Sequence, residues 1–67
     1  MNRDELVQQL EANHMSEIIE LIEDAEKGDL EELEIAKALG LLRDETLNAE
    51  VLNYLESQGV KIIYLEE

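Results

Sequence analysis

Hydrophobic positions recur along the chain at helical spacing, interrupted at three glycines. From Asp4, a reasonable N-cap, to Lys27, the residues Val7, Leu10, Ile18, Leu21, Ile22 and Ala25 fall within one stripe of a 3.6-residue repeat. The patch Asn13-His14-Met15-Ser16 either breaks this segment into two helices, with Ser16 capping the second, or lies within one continuous helix; the stripe stays aligned in both cases. His14 reads as a partly buried filler of the first stripe. Between Ser16 and Lys27, Ile18, Ile22 and Ala25 share a face flanked by Ile19 and Leu21, and Glu17, Glu20, Glu23 and Asp24 lie opposite. Gly28 then suits the left-handed position that ends helices.

A second helix is expected to begin beside Asp29. Asp29 with Glu32 three residues on resembles a capping box, and Glu31 and Glu32 favour the positive end of a helix dipole. Its buried stripe would be Ile35, Leu39 and Leu42, with Ala38 alongside and Ala36 at its edge, and Gly40 loosening or ending it. Asp44 caps a third helix with Leu47, Val51, Tyr54 and Leu55 on its apolar side and Leu52 adjacent. Gly59 ends it. Val60, Ile62 and Ile63, followed by Tyr64 and Leu65, form a β-prone tail that packs over the helices or makes an edge strand. Addition of this tail to a partner's sheet is the alternative use. The expected fold is mainly all-α: a compact three- to four-helix bundle with a short extended C-terminal tail, with residues 1–67 as one acidic helical domain.

Size and charge narrow the function classes. A chain of 67 residues makes one domain at most and buries a modest core. Without cysteine it has neither disulfides nor a Cys-based zinc site. No apolar run approaches a membrane span, and no basic segment precedes an apolar stretch, so a cytoplasmic location is expected. Eighteen acidic residues face five basic ones, a formal net charge of -13. Such a field repels nucleic acid and anionic membrane and attracts basic surfaces. The bland reading of the same charge is high solubility alone.

Two stretches resemble a known family. Gly28-Asp29-Leu30-Glu31-Glu32-Leu33-Glu34-Ile35, followed by Ala38-Leu39, is similar to the glycine turn G-x-L-T-x-x-E-I of region 1.1, the N-terminal domain of primary bacterial sigma factors. Tyr54-Leu55-Glu56-Ser57-Gln58-Gly59-Val60-Lys61-Ile62 resembles the family's closing Y-L-x-x-x-G-[IV]-x-[IV], and Leu21-Ile22 matches its Leu-Ile before the turn. The likeness spans Ile18 to Ile63. Glu31 stands where the family has Thr, with Asp29 available as the cap instead, and the basic residues before the turn are reduced to Lys27. The resemblance implies a regulatory module that keeps free sigma from engaging promoter DNA. In the polymerase holoenzyme it occupies the basic channel that entering DNA later takes. A complete sigma factor continues into DNA-binding domains that these residues do not include, which leaves an excised domain and a stand-alone relative both open.

The acids themselves suit such a role. Half of them lie between Glu17 and Glu34, opposed only by Lys27. On helices, carboxylates three or four residues apart sit roughly 5–6 Å from one another, sparser than the phosphates of duplex DNA but adequate for a basic channel. The candidate partner-binding residues are therefore Glu20, Glu23, Asp24, Glu26, Asp29, Glu31, Glu32 and Glu34, with Glu17 beside them. Core support falls to Ile18, Ile22, Ile35, Leu39, Val51 and Leu55. The expected partner is a basic protein surface, RNA polymerase or the DNA-binding domains of sigma, with no direct nucleic-acid or membrane contact.

Other chemistry is set aside. With Gly28 at the sixth position of a calcium loop, the ligand slots fall on Glu23, Ala25, Lys27 and Glu34, and two of these cannot coordinate through their side chains. A single His and two Ser assemble no nucleophile–base set, and no Gly-rich phosphate loop occurs, so neither catalysis nor a cofactor is expected. Tyr54 and Tyr64 read as packing residues with their hydroxyls at the surface, the alternative being interface anchors. Two rival functions stay open: a helical protein–protein adaptor using an apolar groove, and a phage-type antagonist that imitates DNA towards another enzyme.

Overall fold

Asn2, rather than Asp4, starts the first helix: its side-chain oxygen accepts from the Glu5 amide at 2.9 Å. This places Asp4 and Glu5 in the first turn, where their charges suit the dipole. The computed structural model, which describes residues 1–38 and 40–66, runs α1 (Arg3–Ala12), α2 (Ser16–Lys27), β1 (Glu32–Ala36), α3 (Glu45–Ser57) and β2 (Lys61–Leu65). The break between α1 and α2 is real. Ser16 is the first residue of α2, whose N-cap, Met15, makes no side-chain cap bond.

The three helices end alike. After α1 the Met15 amide donates to the Leu10 carbonyl at 2.9 Å and the His14 amide to Glu11 at 3.1 Å. Asp29 to Asp24 (2.8 Å) and Gly28 to Ala25 (3.2 Å) repeat the pattern after α2; Val60 to Leu55 (3.1 Å) and Gly59 to Glu56 (3.0 Å) repeat it after α3. This closing motif needs one residue at positive φ. Glycine supplies it at Gly28 (83°) and Gly59 (92°), but at the end of α1 it falls to His14 (57°). His14 is exposed there, not a filler of the helical stripe.

The mainly all-α expectation is overturned between residues 29 and 42. Glu32–Ala36 is a strand, paired in parallel with Lys61–Leu65, so the fold is mixed α/β, with three helices and a two-stranded sheet among the described residues. The register sets Glu32 beside Lys61, Leu33 beside Ile62 and Ile35 beside Tyr64. Alternation turns Leu33 and Ile35 inward and Glu32 and Glu34 outward. The helix propensity of Glu, Leu and Ala is a weak local preference, and pairing with the β-prone tail overrides it. Ile35 is buried as expected, but from a strand; Ala38 is exposed, and Leu39 lies outside the described residues.

Leu6 and Leu10 of α1, Ile22 and Ala25 of α2, Leu47, Val51 and Leu55 of α3, with Leu42 and Val60, form the core. Leu6 takes the place foreseen for Val7, which is half-buried, while Ile18 packs partly buried against the cluster. Asp44 caps α3 as expected, accepting from the Leu47 amide at 3.0 Å. At the backbone level the strands approach only α3, and only through β2.

Candidate functional site

On α2 the apolar residues take one side of the cylinder, and Glu17, Glu20, Glu23, Asp24 and Lys27 occupy the opposite arc. All five are exposed. Among the described residues, none of these four carboxylates forms an ion pair or a side-chain hydrogen bond, so their charge faces solvent undiminished except by Lys27.

The remaining candidates divide. Asp29 and Glu31 lie exposed in the link after Gly28, and Glu32 and Glu34 stand on the outer face of the sheet. Because Glu32 and Glu34 stand on a strand and not on a continuation of the helix, the carboxylates form two surfaces joined by this link, not one continuous helical face. The second surface is also mixed in charge, since Lys61 is the register neighbour of Glu32.

Glu26 has a different setting. Arg3 grips its carboxylate with both ends of the guanidinium, Nε to Oε2 at 3.0 Å and Nη2 to Oε1 at 3.1 Å. The Tyr54 hydroxyl donates to the same Oε2 at 2.6 Å. This node ties α1, α2 and α3 together at the rim of the core. The hydrogen bonds from Arg3 and then from Tyr54 hold the Glu26 carboxyl below the usual carboxylate range. The same contact raises Tyr54 above the ordinary phenol, with burial adding to the effect, and raises Arg3 too. Tyr54 thus packs with its hydroxyl at the surface, as expected, whereas Tyr64 is 49% exposed.

Asn48 holds a structural position that the hydrophobic pattern does not mark. The Asn48 side-chain oxygen accepts from the amides of Leu41 (2.8 Å) and Leu42 (3.0 Å), fastening the link between β1 and α3 to the first turns of α3. An Asn inside a helix, out of place by propensity, was the available clue.

Among the described residues no group of three or more His, Asp or Glu is placed to hold a metal ion, and no helix is long and apolar enough to cross a membrane. No protein-family model, curated protein or solved structure matches the chain.

Proposed function

We propose that this chain is a non-catalytic, cytoplasmic regulatory module that occupies a basic nucleic-acid-binding surface in place of DNA, in the manner of sigma region 1.1. The partner on this reading is RNA polymerase, through its DNA channel, or the DNA-binding domains of sigma. The observation that carries it is the outer arc of α2, where Glu17, Glu20, Glu23 and Asp24 stand exposed and unpaired among the described residues beside a single cation. Carboxylates in that arrangement meet Lys and Arg as phosphates do, and a net charge of -13 speeds their encounter with a cationic cleft. The Gly28 link extends the negative charge through Asp29 and Glu31 towards the sheet.

The adaptor alternative needs an exposed apolar groove. Large apolar side chains are exposed only at Met1, Tyr64 and Leu65 among the described residues, which gives that reading little surface to use.

Competition decides the matter. Fluorescent duplex DNA bound to RNA polymerase should be released by added chain at low salt and retained at high salt. Reversal of Glu17, Glu20 and Glu23 to Lys should abolish the release while leaving the circular dichroism spectrum unchanged. Failure of the unaltered chain to displace DNA at low salt would overturn the proposal.

A further inference from the structure

β1 presents an open edge. The bonds that bracket the ladder, Lys61 amide to Glu31 carbonyl at 2.8 Å and Lys37 amide to Leu65 carbonyl at 3.0 Å, fix its phase. With the register known, the amides of Leu33, Ile35 and Lys37 turn towards β2, and the backbone groups of Glu32 and Glu34 turn away from it. Among the described residues no helix Cα comes within 8 Å of a β1 Cα, Leu33 meets the helical core through its side chain, and the backbone of Glu32 and Glu34 bonds to nothing beyond the ladder. An uncovered strand edge of this kind is a template for another strand.

The side chains select what that strand can be. An added strand would lay alternate residues beside Glu32 and Glu34 on the outer face, and the others beside half-buried Leu33 and buried Ile35 on the inner face. A second copy pairing through β1 brings Glu32 and Glu34 against their own kind, on molecules each of charge -13. Like charges placed opposite one another oppose that pairing. Cations at every second position, with apolar residues between them, meet both faces.

We propose that the β1 edge binds an extended partner segment that alternates Lys or Arg with apolar residues and joins the sheet as its third strand. This surface is separate from the α2 arc, so the edge can bind where the α2 arc fails to displace DNA, and the reverse.

The test titrates the whole chain with a short peptide alternating Lys and Val, and follows amide hydrogen exchange residue by residue. In the free protein the Leu33 and Ile35 amides should exchange slowly and those of Glu32 and Glu34 quickly. At a peptide concentration ten times Kd, the Glu32 and Glu34 amides should slow by about tenfold. A peptide of the same composition with its lysines in one block should not produce this. The double variant Glu32→Lys, Glu34→Lys should lose the Lys/Val peptide and accept one alternating Glu and Val. Equal binding of the block peptide reduces the contact to bulk charge and overturns the proposal. So does slowing at Ile62 and Tyr64 instead, which assigns the strand to β2, or slowing with protein concentration alone, which assigns it to a second copy. Absence of any binding overturns it as well.

Discussion

The helical half and the strand half of the molecule are held by unequal means. Leu6, Leu10, Ile22, Val51 and Leu55 are sealed from solvent between three helices. Among the described residues the strands contribute one buried side chain, Ile35, while Tyr64 and Leu65 at the end of β2 are 49% and 48% exposed. Parallel sheets are ordinarily covered on both faces, and this one is covered on one. The helices therefore form the scaffold and the sheet leans on it, so damage to the two halves should have different reach.

The sharpest way to break the contrast is to hollow out each half. Leu55→Ala should remove about 2–5 kcal/mol. A domain of 67 residues has roughly 3–10 kcal/mol in total, so most of the chain should unfold, with loss of helical circular dichroism and of the thermal transition. Ile35→Ala should lower the denaturation midpoint by less and keep the helical signal at low temperature. Equal losses from the two changes would show that sheet and helices are equally central.

Asn48 joins the halves. In Asn48→Ala the amides of Leu41 and Leu42 lose their acceptor, and about 1–3 kcal/mol should go with it, measured by urea unfolding. A smaller effect is expected at the helix ends. His14→Gly should raise stability by about 0.5–1 kcal/mol, because it relieves a non-glycine residue at φ 57°. Gly59→Ala should move the midpoint the opposite way.

The smallest expected effect is the pH response of the Arg3–Glu26–Tyr54 node. Glu26 has a depressed folded value, so its contribution is present at neutral pH and is lost as pH falls from the usual carboxylate range through that value. Tyr54 is raised, so its contribution is complete below about pH 10 and is lost as pH rises through the folded value. In Glu26→Gln both slopes should flatten in a plot of thermal midpoint against pH. Unchanged slopes would mean that the node adds nothing measurable.

Legibility followed the range of the interactions. Gly28, Gly59 and Asp44 act on neighbours within a few residues, and the chain pattern alone placed the ends of α2 and α3 and the start of α3. β1 reads as a helix in the chain pattern because Ile35, Leu39 and Leu42 recur at helical spacing, although Glu32-Leu33-Glu34-Ile35 alternates just as well. Only its distant partner, Lys61–Leu65, decides between the two periods. Residue type does not single out the Asn2 cap, since Asn and Asp cap helices about equally well, and the His14 turn goes unannounced because glycine usually takes that positive-φ position. For the candidate site, the exposed arc of α2 followed from the amphipathic pattern. The separation of Glu32 and Glu34 from it did not, since that depends on the strand. The grip of Arg3 on Glu26 also joins residues far apart in the chain, which no local pattern announces.

The pairing of Glu32–Ala36 with Lys61–Leu65 also sets an order of assembly. The helices can nucleate from local contacts, whereas the ladder closes a long loop that α3 shortens, so the ladder is expected to form after α3. Kinetically, substitutions in β1 should therefore hasten unfolding and leave the refolding rate nearly untouched, the signature of a late-zipping seam.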